Sequence, residues 1–384
     1  MRVLIALHRI GPYHHARFQA AARQIDLQVL ETRPDSQEYL WQFQADADYS
    51  RHQLSGQPSP ETDPPLPELD RQLNELLDEL QPQVVLSVGW ADCAYQRLLT
   101  ACHRSRIPLV IVSDSRQRDE PRSAAKEWIK RQLLQGYSAA LVAGSESRSY
   151  LTQLGFPADA ISQPWDVVDN DLFAAGASPP VTGCASPHFL CVSRLVEKKN
   201  HRGLLAAFAT YQNQGGTWGL TLIGSGPLER ELRQGISQLP HPGRVILQPF
   251  QQLSNLTASY AQASAFVLAS SADQWGLVVN EAMAVGLPCL VSNACGCAVD
   301  LIDHGRTGWS FDPSEPQALA VLMHQVERQS PQARAAMQQA ARQRLEAFTL
   351  ESFAAGLCQS VSSAQRMPRR SRRAALIADL LSRR

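Results

Sequence analysis

Ala265-Phe-Val-Leu-Ala-Ser-Ser-Ala-Asp-Gln-Trp-Gly-Leu-Val-Val-Asn-Glu-Ala-Met-Ala-Val-Gly-Leu-Pro-Cys-Leu-Val-Ser292 is the stretch that decides the fold. It reads as a buried strand over 265–268, a polar loop, an apolar helix stopped by Gly286 and Pro288, and a second buried strand over 289–292. Strand, helix and strand in this order form a parallel unit. Glu281 lies inside the helix, with Leu277, Val278, Ala284 and Val285 three and four residues away, so its carboxylate shares an apolar face. Left unpaired it would be costly to bury, so it requires a polar partner, and a ligand diol or a basic side chain would serve. Asp273, eight residues earlier and just before the helix, is placed in a loop that could face the same cleft.

The same alternation extends outward in both directions. Upstream come strand 189–193, helix 201–212, strand 220–223, helix 228–234, strand 244–247 and helix 253–263, which predicts a doubly wound parallel sheet. The chain opens in the same way, with strand Val3-Leu-Ile-Ala-Leu7, a loop containing Gly11, and a helix over 16–24. Further elements are helix 69–80, strand 84–88, helix 95–102, strand 108–112, helix 124–135 and strand 139–143. Residues 31–67, rich in Gln, Pro, Asp and Ser, read as an irregular excursion. Residues 169–171 read as a turn and 174–187 as an interdomain linker. The expected organisation is therefore α/β, with two Rossmann-like domains at 1–173 and 174–350, followed by a helix and basic tail at 351–384.

Composition narrows the function classes. The 384 residues carry 36 basic and 36 acidic side chains, and this neutral balance gives no sign of a nucleic-acid binder. Eight scattered cysteines without a CxxC pair suit reduced thiols in the cytoplasm. Cys289, Cys295 and Cys297 invite a metal reading, but small buried residues around a loop explain them more simply. No signal peptide or membrane-spanning run is read. The tail from Arg366 to Arg384 has seven arginines around Ala374-Ala-Leu-Ile-Ala-Asp-Leu-Leu381, making it a candidate for peripheral contact with anionic lipid. Solvated terminal arginines are the commoner arrangement.

The candidate chemistry sits at strand ends. Ser193-Arg-Leu-Val-Glu-Lys-Lys199-Asn200 follows a strand, and Asn200 is suited to cap the next helix. Arg194 and Lys199 beside a helix start suit a diphosphate, although solvated loop charges read equally well. Leu222-Ile-Gly224-Ser-Gly226-Pro227 is a tight turn that lets backbone approach a ligand or another strand. It lacks the third glycine of a dinucleotide fingerprint, which argues against a nicotinamide cofactor, and no Walker lysine or GxSxG elbow is present. His8, His14 and His15 crowd one loop without metal-ligand spacing. Asp114, beyond the strand ending at Val112, stands where ligands bind in such sheets, though a surface loop would also hold it.

Together the Ser193–Lys199 motif, the Leu222–Pro227 turn, residues 272–288 and Asp303-His-Gly-Arg-Thr-Gly308 resemble the C-terminal domain of retaining family 4 glycosyltransferases of GT-B fold. The resemblance covers roughly residues 188–313, and the N-terminal half shares only the architecture. It implies two Rossmann-like domains facing a cleft, with the acceptor on the first and a nucleotide sugar on the second. It also implies a retaining transfer of sugar to an acceptor hydroxyl, with no metal and no cofactor beyond the donor. Arg194 and Lys199 would stabilise the departing diphosphate. Glu281 would hold the ribose, and Asp273 with the Gly276 and Leu277 amides would meet the sugar. Gly224 would line the donor site, and Gly11 would let the acceptor domain approach the diphosphate. The implied acceptor is a glycan, a lipid-linked sugar or a small molecule. Asp273 departs from the family's usual glutamate, and Ser113-Asp114-Ser115 stands where a histidine is common, so Asp114 becomes the candidate partner of an acceptor hydroxyl. A sugar-nucleotide epimerase of the same fold and a non-catalytic nucleotide-binding scaffold are the alternatives.

Overall fold

The computed structural model of the protein describes residues 1–36, 41, 46–176 and 186–383. They group into two compact units, Met1–Val167 with Leu350–Arg384, and Val168–Thr349.

In the first unit the strands are β1 (Arg2–Leu7), β2 (Asp26–Glu31), β3 (Ser50–Gln53), β4 (Val84–Val88), β5 (Leu109–Ser113), β6 (Ala139–Val142) and β7 (Ile161–Ser162). They form one sheet in the order β3-β2-β1-β4-β5-β6-β7, with every pairing parallel. Val3, Leu4, Ile5 and Ala6 are fully buried, as are Val110 and Ile111. Such unbroken apolar runs are what a sheet covered on both faces requires. Helix Leu66–Leu80 contributes Leu69, Leu73, Leu77 and Leu80 from one face.

The first helix runs Pro12–Ala22, one turn ahead of its expected start, because Pro12 fits the first helical turn where no amide partner is needed. β3 lies inside the segment expected to be irregular. It is an edge strand of Ser50, Arg51, His52 and Gln53, mostly exposed, so it has no apolar alternation to read. The rest of that excursion, at 37–40 and 42–45, lies outside the described residues, as do 177–185 of the expected linker.

The second unit contains β8 (His188–Val192), β9 (Gly219–Ile223), β10 (Val245–Gln248), β11 (Ala265–Leu268), β12 (Cys289–Ser292) and β13 (Trp309–Phe311). Their order is β10-β9-β8-β11-β12-β13, again all parallel. The strand order reverses between β8 and β11 here, and between β1 and β4 in the first sheet. The carboxyl ends flanking such a reversal are where open α/β sheets bind ligands.

The boundaries differ from those expected. The first unit ends at Val167, and helix Asn170–Gly176 replaces the turn read at 169–171. Residues 351–384 are not a separate piece, because two helices, Leu350–Arg366 and Arg372–Leu381, belong to the first unit. Phe353 packs on Trp165, with ring centroids 5.7 Å apart. Gly356 permits close approach, since a Cβ there would lie 2.8 Å from the Gln163 carbonyl oxygen. Ala374, Ala375 and Ala378 lay the last helix against helices Cys93–Ser105 and Ala124–Leu134. Buried Arg97 pairs with both Asp70 and Asp379. The arginines masked this packing, because an alanine stripe is a weak apolar signal beside so much charge.

Candidate functional site

The loop after β8 is built by backbone contacts. Leu195 donates its amide to the Ser225 carbonyl at 2.9 Å, and Leu228 donates to the Leu195 carbonyl at 3.1 Å. A Cβ on Gly224 would lie 1.9 Å from the Ser193 carbonyl oxygen, and one on Gly226 2.5 Å from that of Leu195. The glycine turn therefore serves another loop's backbone, one of the two uses the sequence left open. Asn200 sits at φ 51° and caps helix His201–Asn213 by accepting from the Gly203 amide at 3.2 Å. Its side-chain amide also donates to the Pro313 carbonyl at 3.0 Å. The loop carrying Arg194 and Lys199 is thus fixed at both ends, with Arg194 exposed and Lys199 half-buried.

Lys199 forms an ion pair with Asp273, bringing two predicted residues into direct contact. Burial acts to lower the Lys199 ammonium, but the adjacent Asp273 carboxylate outweighs it and holds the pKa above its ordinary value. The Ser271 amide donates to the Lys198 carbonyl at 2.8 Å, tying the loop after β11 to the loop after β8. Ser270 Oγ lies 3.4 Å from Asp273 Oδ2. On the other side, the Gly296 amide donates to the Asp273 carbonyl at 2.9 Å and that of Cys297 to the Trp275 carbonyl at 3.1 Å. The Cys295-Gly-Cys297 run is therefore the strip that pins the Asp273 backbone. Among the described residues, no group of three or more His, Cys, Asp or Glu side chains could hold a metal ion.

Helix Leu277–Val285 begins at Gly276, whose φ of 100° suits glycine, and ends at Gly286, φ 94°. Gly276 and Leu277 are only half-buried, so the first-turn amides stand at the site's edge. Glu281 is 0% exposed, deep in the same helix. Trp275 Nε1 donates to Asn280 Oδ1 at 2.9 Å, and the Trp275 ring packs 5.4 Å from Phe348.

Two supports were not read from the sequence. Ser193 Oγ and His201 Nε2 are 3.0 Å apart and brace the Arg194 loop across its width. Burial first, then the charge of Lys199, push the His201 pKa down to about 4, so its ring is neutral at pH 7. The signal was present as a histidine at the helix start, but a single histidine there does not specify its partner.

The first unit carries the other candidates. Gly11 precedes the first helix in extended conformation, φ −113°, and a Cβ there would meet only Trp41 at 3.7 Å, so the backbone does not demand glycine. Asp114 follows β5, and Ser147 Oγ donates to its carbonyl at 2.9 Å. Burial, then the neighbouring Asp166 carboxylate, raise the Asp114 pKa to about 7. Buried Arg17 lies 3.2 Å from Asp166 and donates to the Val167 carbonyl at 2.9 Å. The three histidines of the opening loop diverge. His8 pairs with Asp92 at 3.1 Å, His14 is half-buried, with desolvation and then Arg17 lowering its pKa to about 3, and His15 Nδ1 meets the Tyr49 hydroxyl at 3.0 Å.

The chain is similar to known glycosyltransferases. Residues 185–344 match the family model described as glycosyl transferases group 1. The amylovoran biosynthesis glycosyltransferase AmsK of Erwinia amylovora is 34% identical over 140 residues, 35% of this chain and 34% of AmsK. The putative colanic acid biosynthesis glycosyltransferase WcaL of Escherichia coli is 30% identical over 177 residues, 44% of this chain and 43% of WcaL. The matched segment thus spans well under half the length of these curated relatives. Among solved structures, Anabaena Alr3699/HepE in complex with UDP aligns with a TM-score of 0.74 at 19% identity, covering 94% of this chain and 100% of that one. Residues 185–344, which carry the Arg194, Lys199 and Asp273 loops, are thus similar to glycosyl transferases group 1, and the chain has the GT-B fold.

Proposed function

We propose that this protein is a retaining glycosyltransferase that moves a sugar from a nucleotide-sugar donor to an acceptor hydroxyl in glycan biosynthesis. The observation that carries the reading is the Arg194–Lys199 loop, braced by Gly224 and Gly226 and joined through Lys199 to Asp273 at the strand-order reversal of the second sheet. A diphosphate suits such a place, because two cations and helix amides can stabilise the charge that develops as the sugar–phosphate bond breaks. Asp273 neutralises Lys199 before the donor arrives, and the diphosphate then competes for the lysine. In this reading Asp273 and the Gly276 and Leu277 amides meet the sugar. Glu281 serves the ribose, which requires its surroundings to open, since the side chain is enclosed. Asp114 on the first unit serves the acceptor, and Gly11 allows close backbone approach to the donor diphosphate.

Relatives that make amylovoran and colanic acid, and a structural neighbour holding UDP, favour a UDP-sugar and a polysaccharide or lipid-linked acceptor. Free thiols among the described cysteines favour the cytoplasm. The test is a screen of nucleotide sugars by thermal shift, followed by transfer assays with the wild type and with Arg194→Ala and Lys199→Ala. A ligand at 100 times its dissociation constant stabilises by about 2.7 kcal/mol. Unchanged donor binding and transfer in both variants would overturn the assignment. Product analysis by NMR with donor alone separates transfer from epimerisation.

A further inference from the structure

The last helix, Arg372–Leu381, has two unlike faces. Ala374, Ala375 and Ala378 are buried against helices Cys93–Ser105 and Ala124–Leu134. Arg372, Arg373, Leu376 and Leu380 fall on the opposite face, and Arg383 just past the helix continues it. Leu376 is 60% exposed and Leu380 57%, Trp128 on helix Ala124–Leu134 is 48% exposed, and Met367, just after helix Leu350–Arg366, is 49% exposed. Apart from Met1, these are all the exposed large hydrophobics among the described residues of the first unit. Single exposed apolar residues are ordinary, whereas Trp128, Leu376 and Leu380 gathered on two neighbouring helices mark a surface with a partner.

The charge on that surface is of one sign. Residues 124–134 and 366–383 together carry nine lysines and arginines but only two acids, Glu127 and Asp379. Both acids are engaged: Asp379 with Arg97 and Arg383, Glu127 with Arg122, Lys130 and the Tyr150 hydroxyl. The Arg373 guanidinium lies 5.1 Å from the centre of the Trp128 ring, which joins the two helices into one face. A chain whose total charge is zero has concentrated cations here.

We infer that this composite face of Trp128, Arg372, Arg373, Leu376, Leu380 and Arg383 docks on an anionic phospholipid bilayer. Arginines interleaved with leucine and tryptophan match the membrane interface, where phosphates and acyl chains are met at once. A nucleic acid would use the cations but leave the apolar side chains in water. The helix is folded onto its own unit through the alanines, so the outward side chains are held in place before the membrane is met. Deleting the tail would uncover the core beneath it, and point substitutions on the exposed face are the sound probe.

The experiment is co-sedimentation of the full chain with vesicles of phosphatidylglycerol and phosphatidylcholine in equal parts, and with phosphatidylcholine alone. No donor or acceptor is present, so the outcome is independent of the transferase reading. The wild type is expected to bind only the anionic vesicles, and less at high salt. Arg372→Gln with Arg373→Gln should weaken binding by about tenfold or more, each surface arginine contributing about fivefold. Leu376→Ser with Leu380→Ser should also weaken it, by roughly tenfold, with circular dichroism unchanged in both. Failure of the wild type to bind anionic vesicles overturns the inference. So does a serine variant that binds like the wild type, or tight binding to a DNA duplex that depends on the arginines but not on the leucines.

Discussion

The two sheets share a strand order around their reversal points, yet their carboxyl-end loops are built on opposite principles. In the second unit the loop after β8 interlocks through backbone with the loops after β9 and β11, and Gly224 and Gly226 after β9 admit its carbonyls at distances no side chain would allow. In the first unit the corresponding ends are closed by side chains. Arg33 bridges Asp63 and Asp92 while His8 reaches Asp92 from β1, and Arg17 reaches Asp166 near Asp114. A loop held by backbone tolerates little change in sequence. One held by ion pairs can be re-lettered as long as charges still match, which suits a surface that must fit a particular acceptor.

A substitution in the glycine turn after β9 should break this contrast most sharply. Gly224→Val places carbon against the Ser193 carbonyl and is expected to cost more than about 4 kcal/mol, or to abolish folded protein, as read by chemical denaturation. Equal stability to the wild type would show that the interlock is not needed.

Next in size are Lys199→Ala and Arg194→Ala. Charged hydrogen bonds contribute about 1.5 to 3 kcal/mol, so each should lower turnover roughly 10- to 100-fold, measured as kcat/KM for the donor. Lys199→Ala also leaves Asp273 without its cation, so its stability loss should exceed that of Arg194→Ala.

Asp114 gives a subtler, pH-dependent effect. Its pKa is raised in the fold to about 7 from the ordinary 3.8, so the folded protein keeps a proton that the unfolded chain releases. The stability this contributes is present at low pH and is lost as pH rises across that window. Asp114→Asn should flatten the decline in thermal midpoint between those values. If the carboxylate accepts a proton from the acceptor, transfer should rise through pH 7 in the wild type only. An unchanged pH profile would remove Asp114 from both roles.

The smallest effect is expected from Gly11→Ala, whose new Cβ meets only Trp41 at van der Waals distance. Its stability should match the wild type within about 0.5 kcal/mol. A loss of transfer without a loss of stability would indicate close approach of a ligand to that backbone.

The contrast also explains what could be read from the chain. The second unit was legible because apolar strands, Gly224, Gly226 and Gly276 and the Arg194–Lys199 pair are local signals at fixed spacing. Residues 50–53 were not, since an edge strand of polar residues has no buried face to print its period. The Lys199–Asp273 contact was out of reach for another reason: the two residues lie far apart in sequence, and no local pattern states which loops the sheet will bring together. The cysteines follow the same logic: read as small buried residues around a loop, Cys295 and Cys297 are buried, and the amides of Gly296 and Cys297 hold the Asp273 and Trp275 carbonyls.

One feature of the chain's path governs how the protein comes into being. The second unit, Val168–Thr349, is continuous, whereas the first is completed only by Leu350–Arg384. On the ribosome, where domains usually mature from the N-terminus, the order is inverted: the inserted unit has all its residues while the earlier one still waits for helix Leu350–Arg366 to cover the β5–β7 side of its sheet. A nascent chain arrested at residue 349 should therefore hold a protease-resistant second unit joined to a first unit that is still open to cleavage.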